Sequence, residues 1–413
     1  MNKYLAKYGF QAPKITKVPD ENLGIIIVIP CHNEENVTRT LYSLKACSSS
    51  QCGVKTIIVI NQSEIISEEI DAQNHKSEAE INTWKQENPS FDVEVIFEKA
   101  LSKKHAGVGL ARKIGMDEAV NLFHQINKDG IIVALDADCE VETNYLQEIE
   151  RHFKKYPKTN GSSIRYAHPL QGEEYEEIIY QGIINYELHL RYYNQAMRYC
   201  GLPYGFHTVG SSMAVKSSAY QKQGGMNKRK AGEDFYFLQK IIELGNFTEL
   251  NSTCVIPSPR ISDRVPFGTG KAIGDWIASE ELVYFTYDFT SFLMLKELIE
   301  NISNIYNRVG YIINSEVLLQ FMKSIDFENK IEEIRENTTN YLNFEKRFFT
   351  FFNAFQVLKY VHFVRDNSLP TLPVKEEASK LLKLAYSQDC EKKSIIEILE
   401  IYRTIEKNSE MGK

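Results

Sequence analysis

Residues 24–30 read GIIIVIP, an apolar run with no polar residue at either alternate position. A strand with one wet face alternates polar and apolar residues, so this one is covered on both faces. That is the situation of parallel sheets whose strands are joined by packed helices. The chain then supplies the crossovers that such a sheet needs. KTIIVINQS (55–63), DVEVIF (92–97) and GIIVALD (130–136) read as the second, third and fourth strands. Asn33 is the predicted N-cap of the first crossover helix, with Glu34 and Glu35 in its first turn and Val37, Leu41 and Leu44 at helical spacing. Residues 64–90 are polar and helical around Ile81 and Trp84. GVGLARKIGMDEAVNLFHQI (107–126) is a glycine-rich loop leading into a helix whose buried stripe is Ala111, Ile114, Gly115, Ala119, Leu122, Phe123 and Ile126. The β-α-β-α order predicts an α/β fold with a mainly parallel, twisted sheet flanked by helices. Ligands of such sheets bind beyond the carboxyl ends of the strands, where Pro30, Asn61 and Asp136 fall.

The fourth strand ends in IIVALDADCEVE (131–142), with Asp136 and Asp138 one residue apart. Residues i and i+2 of an extended segment share a face, so the two carboxylates converge. They repel unless a cation or donors neutralise them. A divalent ion carrying a diphosphate does this, and Mg²⁺ and Mn²⁺ prefer oxygen ligands. A calcium loop of the EF-hand type is excluded by Val141 at its sixth position, where that loop requires glycine.

Bulk properties narrow the partners. The 413 residues are 43% apolar and 25% charged with a formal charge of −7, so no general basic field recruits nucleic acid. The seven cysteines form no CxxC pair and read as free thiols of a reducing compartment. Sequons at Asn36 and Asn61 would place glycans on the candidate loops, which also argues against a secretory location. No uncharged apolar stretch reaches 18 residues, so no transmembrane helix is expected. The expectation is a cytoplasmic protein whose membrane contact, if any, is peripheral and at the inner face. FFTFFNAFQVLKYVHF (348–363) reads as a core helix, and the pattern beyond about residue 275 is helical.

Four motifs in order resemble glycosyltransferase family 2, with the GT-A fold: VIPCHNEE after the first strand, GVGLARKIG before a helix, LDADCE, and GEDFYFLQKIIELG. The resemblance covers roughly residues 22–260. It implies a GT-A domain at 23–274, preceded by an N-terminal extension (1–22) and followed by a helical region (275–413) packed on it. It also implies roles. Pro30, His32, Asn33 and Glu34 line the base and ribose pocket, with Asn61 where the family often has an aspartate. Gly107, Gly109 and Arg112 form the donor loop. Asp136 faces the ribose and sugar, and it shares with Asp138, the main ligand, a Mn²⁺ or Mg²⁺ ion. Gly210 and Ser211 lie on the acceptor side. Asp234 is the catalytic base and Glu233 its neighbour in the first turn of a helix, where the helix dipole favours the anion. Arg264 or Arg260 meets the diphosphate. His207 approaches the metal or the acceptor, or is structural, and Lys228, Arg229 and Lys230 form a solvated basic loop or grip an anionic acceptor.

The implied function is metal-dependent, inverting transfer of a sugar from a UDP- or GDP-sugar to a hydroxyl acceptor, in glycan or cell-surface polysaccharide biosynthesis. The competing readings are a non-catalytic nucleotide-sugar scaffold and a haloacid-dehalogenase-type phosphatase. The latter family places its Asp-x-Asp on the first strand rather than the fourth.

Overall fold

A computed structural model describes residues 2–264, 268–310 and 313–409. The elements begin with α1 (Lys3–Tyr8), β1 (Leu23–Cys31), α2 (Val37–Lys45), β2 (Gly53–Ser63), α3 (Glu68–Glu87), β3 (Val93–Leu101) and α4 (Val108–Gln125). There follow β4 (Ile131–Ala134), β5 (Glu140–Val141), α5 (Tyr145–Lys155), β6 (Gly161–Tyr166), α6 (Glu177–Tyr199), β7 (Met213–Lys216), α7 (Ser217–Lys222), α8 (Glu233–Glu243) and β8 (Phe247–Ile256). Beyond them come α9 (Thr269–Ile277), β9 (Phe285–Thr286), α10 (Phe289–Glu300), α11 (Ile302–Asn307), α12 (Glu316–Ser324), α13 (Phe327–Glu336), α14 (Tyr341–Phe351), α15 (Ala354–Asn367), β10 (Leu372–Pro373), α16 (Val374–Tyr386) and α17 (Ile395–Asn408). The chain forms two compact units: Met1–Glu176 with Thr208–Ala272 and Ile405–Lys413, and Glu177–His207 with Ile273–Thr404.

The first unit holds an eight-stranded sheet in the order β3-β2-β1-β4-β7-β6-β8-β5. The pairs β3–β2, β2–β1, β1–β4 and β6–β8 are parallel, while β7 runs antiparallel between β4 and β6, and β5 antiparallel to β8. Ile26, Val28, Ile57 and Val59 are fully buried, and so are Ile25, Ile27, Ile29, Ile58 and Ile60 on the alternate face. Both faces are therefore covered, as the uninterrupted apolar runs require. α4 lies so close to the sheet that a Cβ at Gly115 would stand 2.4 Å from Val28 Cγ1. Only glycine allows that approach.

The N-terminal segment docks on the same helix. Tyr4 and Tyr220 each donate a hydroxyl to Asp117 Oδ1 at 2.8 Å, and the Phe10 amide donates to Asp117 Oδ2 at 3.2 Å. The Ile15 amide donates to Glu118 Oε2 at 3.3 Å. Asp117 and Glu118 are buried on α4, so the segment supplies the partners that buried carboxylates require.

Two local expectations are corrected. Asn33 is not an N-cap, because it adopts a left-handed conformation (φ 49°) and α2 starts at Val37, behind Asn36. Glu34 and Glu35 thus precede the helix. Residues 348–363 do not form one helix: α14 ends and α15 begins around Asn353. The Asn353 side chain accepts from the amides of Phe355 and Gln356 at 3.0 and 3.2 Å, and so caps a new helix inside the aromatic run.

In the second unit this run is core. Phe344, Phe348, Phe352, Val357, Tyr360 and Val364 are buried. There too, Glu187 is fully buried. It accepts from Arg191 Nε at 2.8 Å and from Arg403 Nε and Nη2 at 2.7 and 2.8 Å. All seven cysteines are free, and no helix among the described residues is long and apolar enough to cross a membrane.

Candidate functional site

Strand direction brings distant segments to one rim of the first unit's sheet. β1, β2 and β4 are parallel, so the segments after Cys31, Asn61 and Ala134 share that edge. β7 is antiparallel to β4, with Met213 opposite Ala134, so Gly210 and Ser211 at its amino end reach the same edge. β8 runs with β6, and the segment after Ile256 carries Arg260 and Arg264 there.

Arg112 is the hub. Its side chain is 4% exposed, and its guanidinium grips Glu233 Oε1 with Nη1 and Asp136 Oδ1 with Nη2. One buried cation therefore ties the Asp-x-Asp segment to the first turn of α8. Asp234, the next residue, accepts from the Gly210 amide at 2.9 Å and from the Phe235 amide at 2.7 Å. A Cβ at Gly210 would stand 2.6 Å from Arg112 Nη1, so the absence of a side chain there leaves room for the guanidinium. At Gly109 a Cβ would lie 2.3 Å from the Arg229 carbonyl oxygen and 3.0 Å from Glu233 Cβ. The loop before α8 thus rests directly on the α4 backbone. Gly107 precedes α4 in an extended conformation beside Lys230.

A second guanidinium organises the other half. Arg260 donates to both oxygens of the buried Glu34 at 2.8 and 2.6 Å and lies 2.7 Å from Asp138 Oδ2. Arg264 Nη1 donates to the His32 carbonyl at 2.7 Å and to Glu34 Oε2 at 3.3 Å. Residues 265–267, which follow Arg264, lie outside the described residues. His32 Nδ1 is 2.7 Å from the Asn61 carbonyl oxygen, joining the β1 and β2 loops, and the Asn33 amide donates to Asn74 Oδ1 at 2.8 Å. Pro30 is buried within β1. Ser211 is buried with its hydroxyl 3.4 Å from that of Ser212.

Electrostatics follow from this burial. Desolvation pushes Glu233 up to about 7, opposed by Arg112. It also raises Asp234, again against Arg112, and raises Asp138 against Arg260. Asp234 is thus raised even though it lies in the first turn of α8. Burial lowers the His32 imidazole as well, keeping it neutral near pH 7.

Five carboxylates (Glu34, Asp136, Asp138, Glu233 and Asp234) face three guanidiniums (Arg112, Arg260 and Arg264) in this contact network. The surplus is negative, which suits a cation. Among the described residues no group of three or more His, Cys, Asp or Glu is arranged to hold a metal alone. Asp136 and Asp138, with side chains 36% and 26% exposed, offer the one or two carboxylates that Mg²⁺ takes from a protein when phosphates complete its shell.

Several members of the site carry no local sequence signal. Arg260, weighed in the sequence only as a rival to Arg264, is the one that bridges Glu34 and Asp138. Thr40 Oγ1 donates to the Ala137 carbonyl at 2.8 Å and pins the Asp-x-Asp loop, and Asn227 Nδ2 donates to the Glu233 carbonyl at 2.9 Å. Arg229 stacks over the Tyr236 ring at 3.7 Å, and Lys228 faces the Phe10 ring at 5.5 Å. His207 belongs to the second unit.

No protein-family model and no curated protein matches the chain. Similar solved structures include S. aureus TarS 1-349 in complex with UDP-GlcNAc, at 11% identity and a TM-score of 0.40, covering 93% of this chain and 90% of that one. Another is the mannosyltransferase PcManGT from Pyrobaculum calidifontis in complex with GDP-Man and Mn²⁺, at 11% identity and a TM-score of 0.34, covering 98% and 91%. Similarity this distant carries no functional argument.

Proposed function

We propose that the chain is a metal-dependent, inverting glycosyltransferase of the GT-A type that moves a sugar from a UDP- or GDP-sugar to a hydroxyl acceptor. The observation that carries this reading is the Arg112 bridge. It holds Asp136 of the Asp-x-Asp segment and Glu233 of the Glu-Asp helix on one buried guanidinium, so the two chemically suggestive motifs belong to a single site.

In this mechanism the loops after β1 and β2, with His32, Asn33, Glu34 and Asn61, receive the base and ribose. Asp138, assisted by Asp136, would hold Mn²⁺ or Mg²⁺, and the ion would supply positive charge to offset that growing on the leaving diphosphate. Arg260 and Arg264 stand beside Glu34 as cations for that diphosphate. The Gly210 amide fixes the Asp234 carboxylate, which accepts the proton of the attacking hydroxyl. A carboxylate raised by burial is a stronger proton acceptor than a solvated one, as this role demands. Glu233 acts through Arg112, holding the guanidinium in place rather than meeting substrate.

A thermal-shift panel of UDP, GDP, CDP and ADP, each with Mn²⁺ and with EDTA, tests the donor half. Ligand at 100 times its dissociation constant adds about 2.7 kcal/mol of apparent stability. UDP or GDP should stabilise the protein only with Mn²⁺. No stabilisation by any of the four, or equal stabilisation in EDTA, would contradict the reading.

A further inference from the structure

α2 presents two faces, and only one of them serves the site described above. Val37, Thr40, Leu41 and Leu44 are buried, and Thr40 holds the Asp-x-Asp loop. The neighbouring face, Asn36, Arg39, Tyr42 with Ser43, and Ala46, follows the three-to-four-residue spacing of one helix side. With Thr38, Glu140 and Val141 it lines an open cavity of about 500 Å³. That volume lies within the roughly 300–1,000 Å³ of small-molecule sites.

The lining has a particular chemistry. The Tyr42 side chain is exposed (52%), yet its ring is fixed edge-on against the buried Trp84, with centroids 5.8 Å apart and planes at 78°. Arg39 Nη1 lies 2.7 Å from both oxygens of Glu174, and its Nε is bonded to Glu140. These planar groups lock one another, while their remaining N–H groups and lone pairs stay available. The side chains of Asn36 and Thr38 make no hydrogen bond in the described structure, and Asn36 leaves the start of α2 without a side-chain cap.

We propose that this groove is a saccharide-binding subsite that anchors the acceptor glycan. Its assignment to the acceptor rests on the glycosyltransferase reading; its ability to bind sugar does not. A pyranose ring offers an apolar C–H face and a fringe of hydroxyls that both donate and accept. A rigid exposed tyrosine matches the first. Asn36, Thr38 and the Arg39–carboxylate pairs match the second. Two carboxylates around one guanidinium disfavour an anionic ligand, so the occupant is neutral.

The test uses the full chain without nucleotide or metal, titrated with trisaccharides of glucose, mannose, galactose and N-acetylglucosamine at millimolar concentration. Calorimetry and Trp84 fluorescence are the readouts. At least one sugar binds. Tyr42→Ala and Asn36→Ala each weaken it by about tenfold, the order expected for one stacking or polar anchor, whereas Tyr42→Phe retains binding. Mn²⁺-dependent nucleotide binding stays unchanged in these variants, and the melting temperature falls only in Tyr42→Ala, which loses its packing on Trp84. No binding of any trisaccharide to the wild type, or unchanged binding by Tyr42→Ala, overturns the proposal. If nucleotide binds and no sugar does, this subsite falls while the proposed function stands. If a sugar binds through Tyr42 and no nucleotide does, the subsite stands and the proposed function falls.

Discussion

Replacing Arg112 with methionine keeps a long apolar side chain in its slot and removes the charge. Asp136 is 36% exposed, so water takes the place of the lost guanidinium there, but the Glu233 side chain is only 3% exposed and is left without its cation. Removing one partner of a buried pair costs about 3–5 kcal/mol, and here the cost falls on Glu233. It also acquires a pH dependence. Burial already holds Glu233 at about 7 against an ordinary 4.5, with Arg112 pulling it down, so the variant's value rises further. A carboxyl raised in the folded state contributes stability that is full below its unfolded value and is lost as pH climbs through its folded value. Between pH 6 and pH 8 the wild type then loses stability from this group, and the variant, whose folded value lies higher, loses more. Of the two tryptophans, Trp84 lies in the first unit and Trp276 in the second, so a Trp276→Phe background makes Trp84 the reporter. Urea unfolding at the two pH values measures the difference. Adding Glu233→Gln should return much of the stability lost by Arg112→Met at pH 8. Equal losses at both pH values, or no recovery with Gln, would refute the buried-bridge account.

Three further outcomes are expected. Gly109→Ala forces a Cβ to within 2.3 Å of the Arg229 carbonyl oxygen, so it should destabilise by about 1–3 kcal/mol and displace the loop before α8, as read by thermal melting and nucleotide titration. Asp138→Asn should leave the melting temperature near the wild-type value while abolishing the Mn²⁺-dependent part of nucleotide binding, measured by calorimetry with Mn²⁺ and with EDTA. Tyr4→Phe deletes one of two hydroxyls on Asp117 and should cost about 1 kcal/mol in Trp84-reported unfolding, with no change in nucleotide affinity.

The first four strands were legible because burial on both faces writes itself into the sequence as unbroken Ile and Val runs, and α4 because its apolar stripe is long. The rim followed from strand direction. β7 was not legible, since MAVK in isolation says nothing of running antiparallel between β4 and β6. Asn33 looked like a cap because Asn favours caps, but Asn also tolerates the left-handed conformation that it adopts here. The break at Asn353 was hidden by the aromatic run around it. Within the site, Asp136, Asp138, Glu233 and Asp234 were visible as motifs. Their wiring was not: Arg260 and Glu34 are 226 residues apart, and Arg112 and Glu233 are 121 apart. No local pattern encodes such pairs. Nor was it legible that the N-terminal extension satisfies the buried acids of α4, since those pairs too are far apart in the sequence.

Proton NMR of donor turnover by water tests the central claim most directly. UDP- and GDP-sugars with α-linked donor sugars are incubated with the protein and Mn²⁺, in the absence of acceptor, and the released sugar is followed before it equilibrates between anomers. The account predicts that nucleoside diphosphate and the β-anomer appear together, only with Mn²⁺. Asp234→Asn should slow this by about 10²–10⁴-fold, the range for loss of a general base, while binding nucleotide normally. Initial release of the α-anomer, near-normal turnover by Asp234→Asn, or tight nucleotide binding with no turnover of either donor would contradict it.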